Sequence, residues 1–104
     1  MVAPMISYEI TAMVGDRLID RYESYMRDRH IPDVLSTGCF TGASIARGDP
    51  GKYRISYLAK DRETFDRYIA DHAPALRDHF NEQFPEGVAL SRSVWETMEV
   101  WPHV

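Results

Sequence analysis

The chain has 104 residues, 44% hydrophobic and 27% charged, the balance of one folded domain with a single core and not of a disordered chain. Twelve Lys and Arg against sixteen Asp and Glu give a formal charge of −4 without a basic stripe, so no nucleic-acid partner is expected. The single cysteine, Cys39, makes no intrachain disulfide. With no secretory leader after Met1 and no apolar run of about twenty residues, a cytoplasmic protein with no membrane contact is expected.

Residues 5–13, MISYEITAM, alternate: Ile6, Tyr8, Ile10 and Ala12 fall on one face, Ser7, Glu9 and Thr11 on the other. That is the period of a strand with one apolar face. Gly15-Asp16 ends it, and Asp16 is placed to N-cap the next helix. The helix carries its stripe on Leu18, Ile19, Tyr22, Tyr25, Met26 and Arg29, with Glu23 and Arg27 paired on the wet side. Pro32 predicts an end near His30, because the residue before a proline is pushed out of the α region. Thr37-Gly38 then turns the chain into a second strand, 39–47 (CFTGASIAR). Gly48-Asp49-Pro50-Gly51 is a turn, and 52–59 (KYRISYLA) a third strand antiparallel to the second. Asp61 caps a second helix striped by Phe65, Tyr68, Ile69, His72 and Leu76. Pro74 kinks that helix or starts a fresh segment carrying Leu76, Phe80 and Phe84, and Pro85-Glu86-Gly87 stops it. Residues 88–100 read as the last strand, and the 101–104 tail is too short to place.

The order β-α-β-β-α-β is the α+β, ferredoxin-like arrangement: residues 1–104 form one domain whose two helices cover one face of a four-stranded antiparallel sheet. Trp95, Leu58 and Met13 do not suit a wet sheet face, so a second copy laid against it, a homodimer, is expected. The two halves also echo each other, Tyr25, His30, Pro32 and Leu35 against Tyr68, His72, Pro74 and Leu76.

Among candidate chemical groups His30 leads. Its ordinary pKa lies near working pH, which suits a general acid or base; equally, it caps the helix by bonding a terminal carbonyl. His72 and His79 share a stripe about two turns apart, roughly 10 Å, too far for an adjacent metal pair, and no H-E-x-x-H spacing accompanies them. No metal is expected, and His72 among aromatics reads first as a core histidine. Glu9, on the polar face of the first strand, is either an exposed carboxylate or one desolvated into the range of a general acid or base within a dimer. Arg54 and Ser56 share one strand face and could hold an oxyanion, or Arg54 could simply pair with Glu9. The six tyrosines are mostly core packers at this spacing, and Cys39 is a small buried hydrophobe. Without G-x-G-x-x-G, a P-loop or G-x-S-x-G, neither a nucleotide cofactor nor hydrolase chemistry is expected.

The segments HIPDVLSTGCFTGASIAR, YEITAMV and YIADHAPALRDHF resemble a family of small bacterial proteins, the domain-of-unknown-function 4286 family, within the dimeric α/β-barrel superfamily. The resemblance covers nearly the whole chain, and its most specific part runs from His30-Ile31-Pro32 to Thr37-Gly38-Cys39-Phe40. That superfamily includes cofactor-free monooxygenases of antibiotic biosynthesis, muconolactone isomerases, haem-degrading enzymes and polyketide cyclases. The resemblance therefore implies a dimer with a pocket between sheet and helices or inside the joined barrel, not one reaction. Several members place a histidine near the end of the first helix at the pocket, and His30 occupies the similar position.

The expectation is a homodimer that binds a small organic molecule in a pocket lined by His30, Glu9, Arg54 and Trp95, with Ser56 and His72 as further substrate contacts. Cofactor-independent proton transfer, as in isomerisation or cyclisation, would use His30 or Glu9 as base and Arg54 to steady oxyanion charge. The alternatives are a cofactor-free monooxygenase of a biosynthetic pathway and a non-catalytic dimerisation or binding module. A cavity beside His30 separates them, since a pure dimer module fills that space with side chains.

Overall fold

Strand alternation sets the architecture. In the computed structural model, which describes residues 5–103, the alternating first segment is strand β1 (Ile6–Val14). The leader expectation and the last residue of the tail fall at least partly outside the described range. Helices follow as α1 (Ile19–Tyr25) and α2 (Ile31–Ser36), then the hairpin of β2 (Gly42–Arg47) and β3 (Lys52–Ala59), helices α3 (Arg62–Asp71) and α4 (Ala73–Gln83), and β4 (Val88–Glu96). The sheet runs β2-β3-β1-β4 with every neighbouring pair antiparallel, the ferredoxin-like order.

Two strands are shorter than their sequence pattern. Cys39 and Phe40 turn into the core instead of joining β2. Strand β4 stops at Glu96 because that residue faces Ile6, where β1 begins; past it, the Thr97 N–H donates to the Met5 carbonyl, 2.9 Å away. The hairpin turn needs its glycine. Gly51 has φ of 85°, and a Cβ there would stand 2.6 Å from the Val14 carbonyl oxygen, which no L-residue accommodates without backbone movement.

The first helical column departs from expectation. It does not end near His30. A single wide π turn, Met26–His30, joins α1 to α2, and the Ile31 N–H donates to the Met26 carbonyl five residues back. Pro32 then sits in the first turn of α2, where its missing N–H costs little. Buried Tyr22 and Val34 lie on the same side, twelve residues apart, while three turns of α-helix take about eleven; the wide turn absorbs the extra residue. It also moves the apolar stripe by one position. His30 faces inward, and Arg29, expected on the stripe, is exposed and pairs with Asp33 at 3.0 Å.

The caps divide. Asp61 accepts a hydrogen bond from the Thr64 N–H at 2.8 Å and starts α3 as its residue type predicts. Asp16 does not cap; it opens a short 3-10 turn, Asp16–Leu18, that precedes α1. At Pro74 the chain begins a new segment, with His72 in a non-helical conformation between α3 and α4.

One face of the sheet is the core: Ile6, Tyr8, Ala12 and Val14 of β1 and Tyr53, Ile55, Tyr57 and Ala59 of β3 are buried beneath Tyr22, Met26, Val34, Phe65, Tyr68, Phe80 and Phe84. The opposite face carries Glu9 between Ser56 and Ser93, and Ser7 between Leu58 and Trp95. No described helix is long and apolar enough to cross a membrane.

Candidate functional site

Between the core face and the helices lies a small cavity of about 50 Å³. Its walls come from most elements of the fold: Tyr8 and Ile10 of β1, Tyr22 of α1, Met26 and His30 of the π turn, Ile55 and Tyr57 of β3, Tyr68 of α3, Leu76, Arg77, Phe80 and Asn81 of α4, and Leu90 and Arg92 of β4. The π turn is what aims His30 here. Its ring packs 5.6 Å from the Phe80 ring and 5.8 Å from that of Tyr25, centroid to centroid. Tyr25 in turn holds His79, with hydroxyl and Nδ1 2.6 Å apart.

Burial pushes the His30 imidazole down to about 4, and His79 and Arg92 add to that effect while Asp33 opposes it. At neutral pH the ring is an uncharged acceptor or donor. The helix-end reading of His30 fails on geometry, because the helix continues past it and leaves neither a terminal carbonyl to cap nor a helix C-terminus to favour the proton.

The phenols stay protonated. Burial raises Tyr68 to about 12 and drives Tyr22 and Tyr57 higher still, with neighbouring phenols contributing. Tyr57 is only 2% exposed, and its hydroxyl is buried without a hydrogen-bond partner. Such a group costs folding energy unless something occupies the space beside it. Tyr8 is satisfied differently, by Arg77, whose Nη2 donates to its hydroxyl at 3.2 Å.

The residues expected to share one pocket are divided by the sheet. Glu9, Arg54, Ser56 and Trp95 lie on the face opposite His30, because successive residues of a strand point to opposite sides and the helices cover the Tyr8 face. On that open face Glu9 and Arg54 line a shallow groove at the hairpin end with Lys52 and Asp49. Arg54 makes no ion pair with Glu9 among the described residues. His72 does not line the cavity either; it stacks on Tyr68 at the break before α4. Among the described residues no three His, Cys, Asp or Glu side chains gather as a metal-holding group. Tyr57, Arg77, Asn81 and Arg92 were not anticipated. One signal for Arg92 was present: it interrupts the apolar alternation of β4 between Leu90 and Val94.

A family profile described as Domain of unknown function (DUF4286) matches residues 5–98. The chain belongs to that family. No curated protein sequence matches it significantly. Among solved structures, SnoaB, a cofactor-independent oxygenase from Streptomyces nogalater, is similar with a TM-score of 0.76 at 15% identity, over 97% of this chain and 100% of that one. A dimeric ferredoxin-like protein from an uncultured marine organism gives 0.65 at 18% identity, over 94% and 99%. A protein from Nitrosomonas europaea classed with the antibiotic biosynthesis monooxygenases gives 0.67 at 14%, over 94% of each chain. At these identities the likeness establishes the ferredoxin-like fold and leaves the chemistry to the residues.

Proposed function

We propose that this chain binds a small organic molecule in the cavity beside His30 and moves a proton on it without a cofactor. The observation that carries the reading is the Tyr57 hydroxyl, buried and unpartnered, on a wall of the same cavity as the neutral His30 ring. A ligand oxygen at that hydroxyl would supply the missing hydrogen bond. As His30 removes a proton from the carbon α to the carbonyl that bears that oxygen, the C–H electron pair forms a C=C bond and the growing enolate oxyanion would strengthen the same hydrogen bond, stabilising the transition state more than the ground state. Neutral imidazole is a modest base here, so the substrate proton must be acidic, as beside a carbonyl or on an enol.

Two enzymatic outcomes share this first step. Reprotonation at another position gives isomerisation or cyclisation. Reaction of the carbanion with oxygen gives a cofactor-free monooxygenase, favoured by the full-length likeness to SnoaB and by an aromatic enclosure that keeps water from the carbanion. Glu9 cannot be the base for this cavity from across the sheet. We assign Glu9, Arg54, Ser56 and Trp95 instead to a face that meets a second copy, forming a homodimer.

The test is exchange in deuterated water. A β-diketone such as acetylacetone should lose its C–H signal faster with the protein present, and the gain should vanish in His30→Gln. Oxygen uptake with a phenolic probe then separates the two outcomes. Identical exchange with and without the protein across a panel of carbonyl acids sinks the proton-transfer reading.

A further inference from the structure

The cavity mouth carries charge that proton transfer alone leaves unexplained. Arg77 is half-buried at the rim, and Arg92 projects from β4 on the helix side, opposite Ile10. Among the described residues neither guanidinium lies within 4.0 Å of a carboxylate, although acids outnumber bases in the chain. No Asp or Glu lines the cavity. With His30 neutral and Tyr22, Tyr57 and Tyr68 protonated, the arginines give the enclosure two positive charges and no carboxylate balances them. Two like charges at the rim of a low-dielectric space raise each other's energy, and an anion placed between them relieves both.

The same enclosure has a second need. The Tyr57 hydroxyl is a donor without an acceptor. The rings of Tyr22, Tyr68 and Phe80 also line the enclosure, a setting for a flat unsaturated body. The space of about 50 Å³ is small for a multi-ring compound, and its exposed wall is the rim of Arg92 and Asn81.

We propose that the ligand is a small planar organic anion, its buried part no larger than one ring, with a carboxylate or enolate between Arg77 and Arg92 and a second acceptor oxygen at the Tyr57 hydroxyl. This rests on the cavity being the ligand site and adds the chemical class. A carboxylate is the simplest fit, because a guanidinium donates two parallel hydrogen bonds to it.

The experiment compares 4-hydroxybenzoate with its neutral near-isostere 4-hydroxybenzamide, by titration calorimetry and by the NMR resonances of the His30 and Tyr57 rings. The anion should bind about tenfold or more tightly than the amide, as two charge-assisted contacts require. Arg92→Gln, an exposed change with little bearing on the fold, should remove most of that preference, and Tyr57→Phe should weaken both compounds alike. Equal binding of anion and amide, with the same ring resonances shifted, overturns the anion and leaves the cavity standing as a site. If neither compound shifts the His30 and Tyr57 resonances, both the anion and the site are overturned.

Discussion

The backbone N–H of Ile31 donates to the carbonyl of Met26, five residues back, and this one wide turn serves two constraints together. Pro32 has no N–H, and in a regular α-helix its ring would press on the carbonyl four residues earlier. Tyr22 and Val34 must also share the buried side across twelve residues. Deleting the exposed Asp28 should close the turn to α spacing and keep both flanking helices in phase, but it returns the proline clash. We expect urea denaturation to show a loss of about 3 kcal/mol, mostly recovered when the deletion is combined with Pro32→Ala. Equal losses with and without Pro32→Ala would break the link between the proline and the wide turn.

How much of this was legible in the sequence follows the range of the forces. Alternation and turn chemistry are local, so β1, the Gly51 hairpin, the Asp61 cap and the new segment at Pro74 all read directly. The echo between the halves placed both prolines at helix ends; instead each of Pro32 and Pro74 opens a helical segment. The π turn did not read directly, because a stripe assumed at 3.6 residues per turn puts Arg29 inward and hides the register change that exposes it. Alternation already separated Glu9 from Tyr8. Which face the helices cover relative to His30 is a tertiary fact, and it splits Glu9, Arg54 and Trp95 from the cavity. Tyr57, Arg77 and Arg92 come together from three separate elements, which no spacing along the chain records.

His30 should make stability depend on pH in a defined direction. Unfolded, it titrates near 6.5; in the fold burial brings it to about 4. Between these values the unfolded chain holds a proton that the folded chain does not, so stability rises with pH across the window and is lost as pH falls from about 6.5 toward 4. A shift of this size corresponds to roughly 3 kcal/mol. Urea midpoints of the native chain and His30→Gln, compared from pH 7 to 4, should diverge in the acid half, with the carboxylates common to both cancelling. Parallel curves would show that the ring is not desolvated in solution.

Two buried tyrosines should respond oppositely to loss of the hydroxyl. Tyr53 donates to Glu23 Oε2 at 2.5 Å, within a cluster where Arg47 grips the same carboxylate bidentately at 2.9 and 3.2 Å and Arg27 stands more loosely at 3.8 Å. Tyr53→Phe breaks that cluster and should lower the melting temperature. Tyr57→Phe deletes a hydroxyl with no partner, relieving a desolvation cost on the order of 1–3 kcal/mol. In ligand-free protein it should therefore hold or raise the melting temperature. A clear loss with Tyr57→Phe would mean that the hydroxyl already has a partner in solution, such as a trapped water.

The open sheet face should behave as an interface between two copies. Ser7 stands between Leu58 and Trp95, and Glu9 between Ser56 and Ser93. Trp95 is 58% and Met13 50% exposed in the single chain. Small serines let a second sheet approach to about 10 Å, the usual face-to-face spacing, while Trp95 and Leu58 supply apolar area worth hiding. Sedimentation velocity at micromolar concentration should therefore find a particle of about twice the 12.0 kDa chain mass. Combining Trp95→Lys with Ser93→Lys removes that area and forces two ammonium groups per chain out of water on association, so this variant should sediment as a monomer with an unchanged circular dichroism spectrum. Because the cavity lies on the other side of the sheet, the monomer should still bind 4-hydroxybenzoate if the native chain does. A native chain that sediments at its own mass, or a doubly substituted chain that still dimerises, removes the open face as the interface.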